Sequence, residues 1–197
     1  MKYERHLSAA LEAIEIISPL LRSTTGKPDH IKTKSDGTVV TNVDPEVEML
    51  VRNSLRQKFS DYGIMGEELP PENSDAEFQW IIDPIDGTAH FIHGIPVYGS
   101  IIALYHQEEP VLGVISVPET GDIYHAIKGQ GAFWNNDSVT IQDVAKDEVK
   151  EGVLAISGRS GFVRSGYVDQ YDQLIQEHPK ALMLPNCYGH GLSVRDA

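Results

Sequence analysis

Cys187 is the only cysteine in this chain of 197 residues, so no disulfide can form within it and no multi-cysteine zinc site can exist. That scarcity points to a reducing compartment. Basic residues are few as well: 16 Lys+Arg stand against 29 Asp+Glu, a formal net charge of −13. The balance excludes nucleic-acid binding as the main task, because phosphate-backbone binders need clustered cations to displace counterions. A divalent metal is the more natural partner. No run of about 18 apolar residues is available for a membrane span. Glu4, Arg5, His6, Glu12 and Glu15 interrupt what a signal peptide would need as an apolar stretch. The expected location is therefore the cytoplasm, with no membrane partner. Repeats and low-complexity tracts are also lacking. What remains is an ordinary globular composition, 41% hydrophobic and 23% charged, which excludes disorder as the main state and is long enough to bury a sizeable core.

Apolar residues at Leu7, Ala10, Leu11, Ile14, Ile17 and Leu21 recur at helical spacing and predict an amphipathic helix that stops before Gly26-Lys27-Pro28. Residues 32–37 read as a polar turn and 38–40 as a short extended piece. A second helix carries Val47, Leu50, Val51, Leu55 and Phe59. Either Thr41, with Asp44 three residues on, or Asp44 itself, with Pro45 at the first helical position, caps it. From residue 62 to about 141 the pattern shifts towards alternation and continuous apolar runs, which means sheet. Strands are expected at 62–65, 80–82, 97–104, 111–117, 123–127 and 139–141, with a hairpin at 107–110. A charged interval at 144–151 marks a boundary between a unit at 1–145 and a partial unit at 146–197. The second unit holds a strand at 153–157, a helix near 167–176, a strand at 181–184 and a final element starting at Cys187. Residues 192–197 carry no terminating signal, so the C-terminal part is expected to be incomplete.

Three acidic clusters stand where elements end: Asp44 at a helix head, Gly66-Glu67-Glu68 after a strand, and Asp83-Pro84-Ile85-Asp86-Gly87-Thr88 after Trp80-Ile81-Ile82. Strand C-termini are where ligands collect in sheet-containing folds. In the third cluster a strand delivers Asp83, Pro84 fixes φ, and a tight turn is expected to bring Asp86 back to the same space. Two carboxylates facing one point repel and raise their pKa values unless a hard cation holds them ionised, a need that Mg²⁺ fits. Gly87 allows close backbone approach, and the free N–H groups at the start of the following short helix can receive a phosphate. Carboxylates, metal and phosphate-binding amides together describe metal-assisted phosphoester hydrolysis.

Taken singly, each piece has a plainer reading. Asp-Gly is usually a turn, Glu67-Glu68 a solvated loop, and Asp44 a helix cap. His90 and His93 suggest a zinc pair, but zinc wants further ligands. Cys187 near His190 has no accompanying oxyanion motif and reads as a small buried residue. Gly129-Gln130-Gly131 lacks the Lys and Ser/Thr of a phosphate loop and reads as a turn before Ala132-Phe133-Trp134.

The ordered set changes those odds. Lys34…Asp36-Gly37…Val40-Thr41-Asn42-Val43-Asp44, Gly66-Glu67-Glu68, Trp80 through Thr88, Phe91 with Gly94-Ile95-Pro96, Gly113-Val114-Ile115…Pro118 and Lys128 through Phe133 with Asn135 resemble the inositol monophosphatase family of Mg²⁺-dependent, lithium-sensitive sugar-phosphate phosphatases. The resemblance is strong over about residues 30–136. It implies an α/β fold, a layered αβαβα sandwich, usually in a homodimer. It implies two or three Mg²⁺ ions, with Mn²⁺ able to substitute and Li⁺ inhibitory. Glu67, Asp83 and the Ile85 carbonyl bind one ion, and Asp83 and Asp86 a second. Gly87 and Thr88 hold the phosphate through backbone amides. Thr88, paired with Asp44 and assisted by Glu67, positions the attacking water, and Glu68 is a supporting acid.

The family also has a C-terminal Trp-Asp motif that completes the second metal site, and nothing after Asp86 matches it. The stretch from Pro185 to Gly191 looks like the element that precedes that motif and is similar to relatives acting on histidinol phosphate. The function this implies is hydrolysis of a small phosphomonoester such as inositol monophosphate. Histidinol phosphate, a nucleotide 3′-phosphate and fructose bisphosphate remain open as substrates, and so does a protein that binds phosphate and metal without turnover.

Overall fold

The computed structural model describes residues 2–35, 37–140 and 153–195. Helix α1 (Glu4–Thr24) turns Ala10, Ile14, Ile17 and Leu21 inward. It stops as expected, with Gly26 at φ 69° just beyond its end. Strands β1 (Ile31–Thr33) and β2 (Val39–Thr41) form an antiparallel hairpin. The polar residues 32–33, expected in a turn, are thus strand. All three residues of β1 are exposed, so no apolar alternation could announce it. Helix α2 (Val43–Lys58) buries Val47, Val51 and Leu55. The residue before the helix is Asn42, which makes no capping bond of its own, and the start is closed by Thr41 and Asp44 on either side of it. The Thr41 hydroxyl accepts from Val43 N at 3.1 Å while Asp44 Oδ2 accepts from Thr41 N at 2.8 Å, a reciprocal box. Pro45 therefore lies inside the first turn rather than at its first position.

The strands β3 (Gly63–Gly66), β4 (Phe78–Asp86), β5 (Gly99–His106), β6 (Glu109–Val117), β7 (Asp122–Ile127), β8 (Gly131–Trp134) and β9 (Asp137–Val139) form one seven-stranded sheet in that order. Only β3 and β4 run parallel. Between β4 and β5 lies α3 (Thr88–Ile92). The hairpin at 107–108 closes on two residues, with Gln107 at φ 58°. Strand β8 is not among the expected strands, because it begins at Gly131, inside the glycine pair that reads as a turn, and its Ala132-Phe133-Trp134 run does not alternate.

Helices α1 and α2 cover one face of the sheet. Ile14, Ile17, Val47, Val51 and Leu55 join Trp80, Ile82, Ile102, Leu104 and Val114 in one core. After residue 152 come β10 (Ala155–Ile156), α4 (Arg159–Ser165), α5 (Val168–Glu177), β11 (Leu182–Met183) and α6 (Asn186–Arg195). Strands β10 and β11 pair in parallel, and α6 contacts β5, β6 and β10, so it lies between the large sheet and the small one. This is the helix, sheet, helix, sheet succession expected of the layered α/β fold. The expected strands at 153–157 and 181–184 shrink to two residues each. Helix α4 is not anticipated by the sequence, because Gly158 and Gly161 hide its seven residues in a turn-like stretch. Ile141, the charged interval 144–151 and the boundary at 145/146 fall outside the described residues.

Candidate metal and phosphate site

Strand β4 carries the central cluster, and its register explains how. Asp83 stands opposite Ile101 and Asp86 opposite Gly99, so three steps on β4 match two on β5. Residues three apart on a regular strand face opposite sides, and one extra residue restores them to the same side. Trp80, Ile82 and Pro84 are accordingly buried on the core face, Ile85 is also buried, and Asp83 and Asp86 both line a cleft on the other side. The expected tight turn is thus a bulge within a continuous strand. The buried Ser100 hydroxyl ties it down by donating to Pro84 O at 2.6 Å.

Immediately after the bulge, Gly87 takes φ 91°, a left-handed conformation that disfavours other residues. A Cβ there would also lie 2.3 Å from Asn186 Nδ2. Thr88 then opens α3, and its Oγ1 lies 3.2 Å from Asp44 Oδ1 and 2.9 Å from the Ile85 carbonyl oxygen. The other Asp44 oxygen is held by Thr41 N and, at 2.6 Å, by the Thr41 hydroxyl. Asp44 is buried, and that burial raises its pKa against the pull of these bonds. Residues 44 positions apart in sequence thus meet as the resemblance implies.

Glu67 and Glu68 leave the end of β3, and Glu67 reaches the same cleft from the side. Lys34, from the hairpin of β1 and β2, donates to Glu67 Oε1 at 2.7 Å and to Glu68 Oε1 at 2.6 Å. Partial burial works against the Lys34 charge, but the two carboxylates more than offset it and hold its pKa above the usual range. Asp83 has the opposite experience. Burial first, then Asp86, Glu67 and Asp44, push its carboxyl up to about 8. Its Oδ1 is buried with no hydrogen-bond partner.

Among the described residues no three His, Cys, Asp or Glu side chains stand close enough together to form a finished metal cage. The donor set nevertheless fits a hard cation. An orphaned carboxylate oxygen among like charges, with a carbonyl and further carboxylates on one cleft of about 830 Å³, is what such an ion satisfies.

The far wall of the cleft is formed by Ser157, Ser160, Arg164, Asn186 and Tyr188. Helix α6 starts there, with Cys187 N donating to Asp86 Oδ2 at 2.5 Å and Asn186 Nδ2 3.1 Å from His90 Nδ1. His90 is therefore engaged by an amide, and the zinc-pair reading of His90 and His93 has no support. Cys187 is fully buried, and burial with Asp86 nearby raises its thiol pKa, which disfavours the nucleophilic thiolate. Gly129 and Gln130 lie in the turn between β7 and β8, as expected, while Gly131 is already the first residue of β8. Three residues of the site carry no assigned role in the sequence reading. Lys34 enters it only as part of a pattern, and Glu48 and Arg52 do not enter it at all. Asp44, Glu48 and Arg52 recur every four residues beside the apolar stripe of α2 and all three are buried, but the same spacing marks any solvated charge pair on a helix surface.

No helix among the described residues is long and apolar enough to cross a membrane. Comparison with known proteins agrees with the geometry. The family model for the inositol monophosphatase family matches residues 2–183. A histidinol-phosphatase of Chlorobaculum parvum is 35% identical over 94% of this chain and 71% of its own length. A histidinol-phosphatase of Mycobacterium tuberculosis is 36% identical over 84% of this chain and 65% of its own length. The chain thus spans about two-thirds of these curated relatives. Among solved structures, an inositol monophosphatase of Zymomonas mobilis superposes with a TM-score of 0.82 at 28% identity, covering 99% of this chain and 75% of the other. The chain belongs to the inositol monophosphatase family.

Proposed function

We propose that the protein is a Mg²⁺-dependent phosphatase of small phosphomonoesters. The observation that carries this reading is the buried, orphaned Oδ1 of Asp83, a side chain that lines the cleft with Asp86, with the Thr88–Asp44 pair nearby. Glu67, Asp83 and the Ile85 carbonyl would hold one ion, and Asp83 and Asp86 a second. Bound there, the metal supplies Lewis acidity towards the phosphoryl oxygens and a water of lowered pKa. The Ile85 carbonyl has two lone pairs, so accepting from Thr88 leaves one for a cation.

The chain's own groups do the positioning. The single Thr88 proton goes to Asp44 or to Ile85, which leaves the hydroxyl oxygen free to accept from a water lying over the cleft. Asp44, gripped through its other oxygen, cannot turn away, and its raised pKa suits it to share the proton that the water loses. Glu67, half-exposed on the cleft, is the second group placed to accept that proton. Gly87 and Thr88 present the first N–H groups of α3 to the phosphate. Asp86, anchored by Cys187 N, keeps one oxygen for the metal.

For the alcohol portion, one observation favours histidinol phosphate over inositol monophosphate. The two histidinol-phosphatases are 35% and 36% identical to the chain, against 30% for the Aquifex aeolicus fructose-1,6-bisphosphatase/inositol-1-monophosphatase and 31% for the Dictyostelium discoideum inositol monophosphatase. The same reading includes a cytoplasmic homodimer. Phosphate release from a panel of phosphomonoesters, with Mg²⁺ and with chelator, tests the proposal. Release that needs Mg²⁺ is the expected result. No release from any substrate, or release undiminished by chelator, overturns it.

A further inference from the structure

Helix α2 carries three buried charged side chains on one stripe, Asp44, Glu48 and Arg52, stacked at intervals of about 6 Å. Asp44 belongs to the site. The other two are 0% and 1% exposed and reach the loop after β3. Glu48 Oε2 accepts from Glu68 N at 2.7 Å, and Oε1 accepts from Leu69 N at 3.2 Å and from Arg52 Nε at 2.8 Å. Arg52 completes the grip by donating to Leu69 O at 3.1 Å and to Glu72 Oε1 at 2.9 Å. At that end the loop is closed, since Ile64 and Glu72 exchange both backbone bonds at 2.9 Å. The loop thus encircles one carboxylate and one guanidinium, its backbone turned inward to them and its Glu67 and Glu68 side chains turned outward to Lys34.

Burying an ion pair is a poor way to gain stability, because desolvation offsets the attraction and a well-packed apolar pair does as well. Apolar side chains could not, however, receive the Glu68 and Leu69 amides. Gly66 fits the same logic: a Cβ there would lie 2.0 Å from Glu48 Oε1, so the carboxylate sits where only glycine permits it. We infer that Glu48, braced by Arg52, is a positioning residue: through the Glu68 and Leu69 backbone it fixes Glu67 and Glu68 in register with Asp44 on the same helix. A single rigid rod then sets the distance between the water-orienting pair and the carboxylates at the end of β3. The inference rests on the metal reading for its consequence in catalysis, but the clamp itself does not.

Two measurements separate the parts. Hydrogen exchange on the metal-free wild-type protein reads the clamp alone: the Glu68 and Leu69 amides are expected to be protected, and to exchange at least tenfold faster in Glu48→Gln. Exchange at the rate of an open loop in the wild type, or no change in the variant, overturns the clamp. The Mg²⁺ dependence of phosphatase rate reads its consequence. Glu48→Gln is expected to raise half-saturating Mg²⁺ by about 10- to 100-fold, the usual effect of removing support behind a metal ligand, with substrate KM at saturating Mg²⁺ nearly unchanged. Ile17→Val, a cavity in the α1 core, controls for lost stability and is expected to leave the Mg²⁺ dependence alone. An equal shift in both variants, or none in Glu48→Gln, overturns the positioning role. If Glu48→Gln does not fold, Gly66→Ala tests the same contact by pushing the carboxylate aside, and unchanged exchange and Mg²⁺ dependence there overturn the inference. A wild type with protected amides but no Mg²⁺-dependent turnover counts against the proposed function and leaves the clamp standing.

Discussion

The two walls of the cleft are held very differently. The acidic wall grows from the core: Trp80, Ile102, Leu104 and Val114 beneath it are 0% exposed, and its carboxylates sit on a strand bulge, a helix head and a clamped loop. The opposite wall is built from α4, which buries no residue, from the residues just after the two-residue strand β10, and from the two-residue strand β11. Its main tie is α6, where Cys187, Gly189 and Gly191 are buried. The lesson is a division of labour. Groups that would handle metal and phosphate need placement to within fractions of an ångström, and the core supplies it. Groups that would meet the alcohol lie on elements with few buried contacts, where local opening costs less.

The largest expected effect strikes the acidic wall. Asp83→Asn keeps the shape and removes the charge, and phosphatase rate is expected to fall by about 10⁴, equivalent to several kcal/mol of transition-state stabilisation. The same change is expected to help the metal-free fold. With its pKa raised to about 8, folded Asp83 binds more protons than unfolded Asp83, so its contribution is full near pH 4 and is lost as pH rises towards 8. Thermal melts of wild type against Asp83→Asn, without metal, check this. The wild type is expected to lose stability relative to the variant across that window, and Mg²⁺ is expected to abolish the difference.

Thr88→Val comes next. Removing the hydroxyl takes away the contact to Asp44 and is expected to lower kcat by about 10²–10³ while leaving metal affinity unchanged, as single-turnover rates and metal titration would show.

On the other wall the effects are smaller and of another kind. Gly191→Ala would put a Cβ 2.4 Å from the Tyr124 ring, and overpacking of this sort costs about 1–3 kcal/mol. A lowered melting temperature and faster amide exchange in α6 are expected, with β4 unaffected. Smallest is Arg164→Ala at the rim of the cleft: KM is expected to change up to about tenfold, differently for different alcohols, with kcat within about threefold.

The same contrast explains what the sequence makes legible. Helices α1 and α2 and strands β3 to β7 show their apolar period plainly, because burial on one face writes a period into the chain. Strand β1 and helix α4 bury little, so nothing in their composition distinguishes them from turns, whereas β10 and β11 show as apolar runs longer than the two residues that pair. Within the site, Asp83, Asp86, Thr88, Glu67 and Asp44 form a recognisable ordered pattern. That Asp83 and Asp86 share a side depends on a bulge that is set by pairing with β5 rather than by local sequence. Glu48 and Arg52 look like ordinary helix-surface charges, and only the loop folded over them shows otherwise.

The central claim is that the β4 carboxylates await a divalent cation. Titration calorimetry of Mn²⁺, and then Mg²⁺, into wild type and Asp83→Asn tests it most directly. Saturable binding in the wild type and its loss in the variant is the predicted result. Equal stoichiometry and affinity in the two proteins would contradict it.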